Sequence, residues 1–453
     1  MSVHRAPAPL LVLALLTALS PGAAETQAVE VPPLPIDTFT LDNGLRVVVS
    51  PDHSTPVVAV SVWYGVGSAH EEEGRSGFAH LFEHMLFEET ENLEDGELDR
   101  LVSRAGGIFN GNTTTDRTAY FEVLPSNRVN LALWLHAERM GRLVVSEENF
   151  ETQREVVQEE RRLRVDNQPY ARAQLTQDTL SQDYLPYRHT VIGSMEDLEA
   201  AEVSDVEAFY RRHYTPRNAV LTVVGDVTPE QVRELAQEYF GAFPPGDPVP
   251  DLPAPPPVPR TDGERRAEVP DPLAQLPLLS MGYGIPPASH PDQAALTVLS
   301  QILSTGESSR LYRRLVNEEE AALAFISNVG ARLGPGTMIF AALPNQGHEI
   351  EVIESLIEDE IRRVQDAGVT DRELQKAKNQ LRAQAVASRT TVQSKATLLQ
   401  QSQLFYGSAF EANRGPARLE AVTVEDVRRV ARTYLVAENR TVVIARPQRP
   451  AGE

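Results

Sequence analysis

His80, Glu83 and His84 fall within one five-residue run, H-L-F-E-H, inside the stretch GFAHLFEHMLF (77–87). Four residues apart, the two imidazoles lie one above the other on a helix face, and Glu83, three after His80, projects close by. Two neutral imidazoles at that spacing can share one zinc ion, leaving positions for a third ligand and a water. A carboxylate beside the ion can take that water's proton and later hand it to a leaving amine. The order H-x-x-E-H is the inverse of the H-E-x-x-H zinc signature. The other large side chains of the stretch, Phe78, Leu81, Phe82, Met85, Leu86 and Phe87, are apolar. A helix that is apolar all round is buried, and a buried charge without a partner is strongly unfavourable. The alternative, a hydrogen-bonded pair of core histidines, fits so apolar a helix less well.

A third ligand must come from elsewhere, and SEENFETQREVVQEERRLRV (146–165) offers one. Gln153, Val156, Val157, Glu160 and Leu163 recur at the spacing of an inward helical stripe. Glu160 lies on that stripe, whereas Glu159 lies towards Glu155 and Arg162. Glu160 is therefore the expected ligand, the alternative being a carboxylate paired with Arg161 or Arg162.

The elements that must position these groups belong to a globular protein of 453 residues, 41% hydrophobic and 23% charged, long enough for two or three domains. With 42 basic and 64 acidic residues the net charge is −22, which argues against nucleic acid as a partner. Cys is absent, so disulfides, thiolate metal sites and a Cys nucleophile are excluded, and no G-x-S-x-G elbow is present. Any metal must be held by His and carboxylates. The N-terminus reads as a signal peptide over residues 1–24: Arg5, the apolar run LLVLALLTAL (10–19), and a small-residue region cut after Ala24. The run is well short of the ~20 residues needed to span a bilayer. A periplasmic or secreted protein of a Gram-negative bacterium is expected, with no membrane span after cleavage.

The run PPGDPVPDLPAPPPVP (244–259) has nine Pro in sixteen residues and reads as a stiff connector. It divides a zinc-binding domain, 30–243, from a second domain, 261–448, with the linker at 244–260. The halves resemble each other at an offset of 221: DVEAFYRRHYTPRNAVLTVVGD (205–226) matches DVRRVARTYLVAENRTVVIARP (426–447). Strands are predicted at 45–50, 57–66, 118–124 and 218–225, and helices at 76–88, 128–140, 146–165, 203–214, 292–304, 349–367 and 371–402. The motif maps onto QILST (301–305), which has no ligand. The fold class is α+β: two homologous α/β domains, each an antiparallel-rich sheet packed with helices, the second without metal ligands.

On the stretches LDNGLRVVV (41–49), GFAHLFEHMLF, ETQREVVQEERR (151–162), YTPRNAVLTVVGD (214–226) and SSRLYRRL (308–315), the chain resembles the pitrilysin or insulinase-like (M16) zinc peptidases. It looks closest to the two-domain bacterial branch similar to mitochondrial processing peptidase subunits. The resemblance implies that His80, His84 and Glu160, 76 residues after His84, bind one Zn²⁺ per chain and that Glu83 is the general base of a zinc endopeptidase. It implies a LuxS/processing-peptidase-like fold forming half of a clam-shell chamber, and peptides laid as an added strand on the edge around Asn110 and Gly111. Two departures stand out. The family often has a second Glu seven residues before the third ligand, where this chain has Gln153. Complete sites of the family also bring an Arg and a Tyr from the second half over the substrate carbonyl; here the Tyr position is Phe325 and the Arg position reads as Val316 or a nearby acidic residue, with Tyr312 or Arg314 as the alternative donors. A homodimer or heterodimer with a sister subunit supplying the Arg–Tyr pair is therefore expected. The rival readings are a non-catalytic peptide-binding subunit of the same fold and an exported metal-binding protein.

Overall fold

The computed structural model describes residues 30–448, so the signal-peptide region lies outside the described residues. The first half builds a six-stranded sheet from β1 (Asp37–Thr40), β2 (Arg46–Pro51), β3 (Val57–Tyr64), β4 (Ile108–Thr113), β5 (Thr118–Pro125) and β6 (Ala219–Gly225), in the order β1-β2-β6-β3-β5-β4. The second builds five strands, β7 (Arg265–Asp271), β8 (Leu278–Ile285), β9 (Ala322–Gly330), β10 (Gly336–Pro344) and β11 (Arg440–Pro447), in the order β7-β11-β8-β10-β9. Apart from β1 the two orders correspond strand for strand. In each sheet one pair is parallel, β2 with β6 and β7 with β11, and the other pairs are antiparallel. The 221-residue offset relates β3 to β8, and the helix Val203–His213 to Val424–Tyr434.

β3 and β6 read as nearly unbroken apolar runs because both faces of the first sheet are covered. One face packs on helices that contribute Leu81, Phe82, Leu133, Val157 and Phe240 to the first core. The other is covered by a helix from the second half, Val392–Tyr406, whose Val392, Ala396 and Leu399 meet Val48, Ala59, Val220 and Val224. The exchange is reciprocal, since helix Ala171–Ser181 of the first half packs on β7, β8 and β11. Gln400, fully buried, donates to the Ser61 carbonyl at 3.0 Å and accepts from the Ser61 hydroxyl at 2.9 Å. At the position 221 residues beyond Ser61 stands Gly282, where a Cβ would come 2.4 Å from Gln177 Nε2. Residues 244–260 carry no helix or strand, and Tyr184 donates to the Pro253 carbonyl at 2.8 Å.

The sequence misplaced one helix boundary in a telling way. The predicted helix 371–402 is two, Asp371–Ala387 and Val392–Tyr406, because Thr391 caps the second by accepting from Ser394 N. That break turns the second helix across onto the other domain's sheet.

Gln400→Ala would strand buried polar groups of β3 and leave a cavity. It is expected to destabilise the chain by about 2–4 kcal/mol in urea unfolding. The exposed neighbour Gln401→Ala should change stability by less than about 0.5 kcal/mol.

Candidate metal centre

The helix that carries the motif runs Phe78–Met85 and buries Phe78, Ala79, His80, Leu81, Phe82 and Met85. Its start is fixed by two features. Gly77 has φ +93°, and a Cβ there would sit 2.8 Å from the Ile192 carbonyl, so the position requires glycine. The Glu71 carboxylate, buried in the preceding loop, accepts from Gly77 N at 2.9 Å and Ala79 N at 2.8 Å, capping the helix from outside it. Sequence inspection missed Glu71 because a cap six residues upstream has no local signature.

Helix Glu147–Arg161 packs against the motif helix and delivers Glu160. Glu160 Oε2 lies 3.3 Å from His84 Nε2 and 3.6 Å from His80 Nε2, and the imidazole rings are edge to face at 4.9 Å. Glu160 Oε1 is held by Arg164 at 2.7 Å, so one carboxylate oxygen is committed and the other faces both imidazoles. Glu159 instead pairs with Arg162 at 3.2 Å. The inward stripe is narrower than its sequence pattern: Phe150 and Val157 are buried, but Val156 and Leu163 are exposed. The helix is covered on one side only, so apolar residues at the margin of the stripe face solvent.

Three electron-rich atoms converge at distances too long for good hydrogen bonds, all within 4.8 Å of one another. Burial and the neighbouring His84 pull the His80 pKa down to about 4 against the opposing pull of Glu160, so this imidazole is neutral with a free lone pair at neutral pH. This donor set fits a zinc ion, and it is the one group of three or more metal-binding side chains among the described residues. Glu83 is half-buried; burial raises its pKa, and the Thr113 hydroxyl opposes that.

β4 pairs only with β5, so no strand covers its outer edge. Gly111 on this edge lies against the motif helix: a Cβ there would come 3.2 Å from Glu83 Cγ and 3.0 Å from the Phe87 ring. Asn110 Oδ1 accepts from Gly111 N at 2.7 Å. In the second half Phe325 stacks on Phe340 with ring centres 6.5 Å apart, and Arg314 is engaged by Glu319 at 3.8 Å and Glu360 at 4.0 Å. Phe325 has no donor to offer, whereas Arg314 makes only these long ionic contacts and its Nε is buried without a hydrogen-bond partner.

Gln153 meets a carboxylate rather than replacing one, for its Nε2 donates to Glu88 Oε1 at 2.7 Å. Burial, with Asp95 nearby, pushes the Glu88 pKa up to about 7 from 4.5. The folded state then binds more protons than the unfolded between those values, so stability falls as pH rises from about 4.5 to about 7. Glu88→Gln is expected to flatten that part of the profile and raise stability at pH 8. An effect on the order of 1 kcal/mol, allowing for partial exposure, should be read from urea midpoints at pH 4.5 to 8.

Residues 46–189 match the family model described as insulinase (peptidase family M16), and residues 201–381 match the one described as peptidase M16 inactive domain. The zinc protease PqqE of Helicobacter pylori is 35% identical over 357 residues, 78% of this chain and 80% of that protein. The crystal structure of a protease from H. pylori superposes with a TM-score of 0.88 at 32% identity, covering 92% of this chain and 100% of that one. A peptidase M16 inactive domain from Pseudomonas fluorescens shares the fold, with a TM-score of 0.83 at 19% identity over 92% of this chain and 98% of that one. With more than a third of positions identical across most of both chains and both family models matched in order, the chain belongs to peptidase family M16, the insulinase-like zinc proteases.

Proposed function

We propose that this chain is the zinc-binding catalytic subunit of an exported endopeptidase acting on peptides or unfolded segments inside a chamber shared with a partner. The observation that carries the proposal is the convergence of His80, His84 and Glu160 beside Glu83, directly beneath an open sheet edge. His80, His84 and Glu160 would hold one zinc ion, Glu160 with the oxygen that Arg164 leaves free. When bound, the metal supplies a Lewis acid that polarises a peptide carbonyl and makes water more acidic. Glu83 takes the proton of the attacking water and returns it to the leaving amide nitrogen. The peptide main chain pairs with β4 around Asn110 and Gly111, which gives affinity without reading sequence.

The second half repeats the fold without the ligands, and Phe325, which stacks on Phe340 and has no donor, supports a division of labour in which a sister subunit donates the Arg–Tyr pair. A complete ligand set with a carboxylate poised beside it favours a catalytic over a scaffolding role, and a single cluster disfavours metal storage. Residues 10–19 support export, and no helix among the described residues is long and apolar enough to cross a membrane.

Glu83→Gln is expected to lower turnover of a quenched-fluorescent peptide library at least about 10³-fold while retaining one zinc per chain by elemental analysis. Persistent turnover would remove Glu83 from its role. Glu160→Gln should weaken zinc binding by about 100-fold or more in a chelator titration, and Glu159→Gln should not. Addition of a sister subunit should raise turnover several-fold. Full activity of the isolated chain, unchanged by any sister, would overturn the division of labour.

A further inference from the structure

The hydrolysis proposed above gives no role to Arg117, at the turn between β4 and β5. Its guanidinium lies 4.3 Å over the Trp63 ring, and its Nη1 donates to the Asn112 carbonyl at 2.9 Å and to the Asn112 side chain. Among the described residues it forms no ion pair with a carboxylate, in a protein of net charge −22. Burial lowers its pKa to about 10 despite Glu83 and Asp116 nearby, the mark of a cation short of solvent and of a close counter-charge.

The turn is rigid. Asp116 accepts from the Tyr187 hydroxyl at 2.5 Å and from Leu333 N, in the β9–β10 turn of the second domain, at 2.9 Å. The Tyr187 oxygen in turn accepts from Gly334 N at 2.7 Å. On the other side the Thr114 and Thr115 carbonyls accept from Ser68 N and Ala69 N, and a Cβ on Gly67 would stand 2.2 Å from the Thr114 oxygen. Arg117 is thus held in place by both domains.

Strand register gives the face on which it acts. Tyr120 reaches the Phe82 carbonyl of the motif helix, so its neighbour Ala119 points to the opposite face of the sheet. Ala119 pairs with both Trp63 and Asn112, which places Trp63, Asn112 and the guanidinium stacked on that indole together on that opposite face. A peptide added to β4 sends alternate side chains to the two faces: one set meets Glu83 and the metal ligands, the other meets this surface.

We propose that Arg117 is a specificity-determining residue, which selects an aspartate or glutamate side chain at the substrate position lying beside Asn112 on the face away from the motif helix. One edge of the guanidinium is anchored by Asn112 and its plane by Trp63, which leaves the remaining nitrogens to receive a carboxylate in a fixed orientation. The local cation also counters the overall acidity of the chain, which would otherwise repel such a peptide. This inference rests on the peptide lying on β4 and not on turnover.

The test is binding of labelled peptides to the zinc-loaded Glu83→Gln chain by fluorescence anisotropy, with Glu, Gln or Lys placed in turn at each position. At one position Glu is expected to bind at least ten-fold more tightly than Gln, and Lys most weakly. Arg117→Gln should erase that ranking, and Arg117→Glu should invert it in favour of Lys, an outcome that a merely loosened hairpin cannot give. Equal affinities at every position, a ranking unchanged by both substitutions, or binding of none of the peptides would overturn the proposal. A parallel turnover assay of the unmutated chain separates this failure from that of the peptidase reading, because loss of selectivity with zinc-dependent cleavage intact refutes only the role of Arg117.

Discussion

Two imidazoles and two carboxylates gathered in an apolar interior stand or fall by a positive charge among them. His80, His84 and Glu160 turn their lone pairs on one another, and the cations the polypeptide brings near are Arg164, which takes one oxygen of Glu160 from outside, and Arg117, whose charge reaches Glu83. A bound cation would relieve this mutual repulsion, and several features of the surrounding structure hold the cluster in place. Apolar neighbours depress the pKa of His80 so that it need not lose a proton on binding. Glu71 caps the motif helix, so that its start does not drift. The ligand helix packs its buried Phe150 and Val157 into the core so that Glu160 arrives at a fixed height.

The two halves show what the fold needs and what the chemistry adds. Strand order, the parallel pair and the crossing helix recur in both, so these serve the fold. The ligands do not recur, and where the first half has His80 to His84 the second has Gln301 to Thr305, with Gln301 bonded to Gln380. Clustered polar groups in a core without a partner are unfavourable, and the second half carries no metal-binding side chain at that position. The crossing helices prevent either half from being an independent bead. Gln400 reaches into the first sheet, and Tyr170 at the head of the reciprocal helix is anchored by Asp271 in the second.

How much of this was legible in the sequence depended on distance along the chain. H-x-x-E-H is a local pattern, and a helix converts it into geometry without help. Glu160 was legible because the 3.6-residue period separates it from Glu159, although the same period wrongly drew Val156 and Leu163 inward, since periodicity gives direction but not the width of what covers a helix. The break at Thr391 carried a capping signal that the long helical pattern around it outweighed. Glu71, Arg164 and the Asp116–Tyr187–Leu333 contact carried no such signal. Each joins residues through loops whose course only the folded chain defines.

An open sheet edge next to a metal cluster is both a hazard and an instrument. Unpaired N–H and C=O groups invite any extended chain, and proteins usually blunt such edges. Here β4 is blunted at its end, where the turn is clamped by both domains and Asn112 is braced by Arg117, and at Gly111, whose N–H donates to the Asn110 side chain. Gly111 keeps the middle of the strand close to Glu83, where a larger residue would force the carboxylate or Phe87 aside. The edge that could nucleate aggregation is therefore short and rigid, and it runs beside Glu83. The second domain, having no ligands of its own, contributes to that rigidity through Leu333 and Gly334. A second domain without metal-binding side chains of its own in this way fixes the strand that lies beside the other domain's cluster.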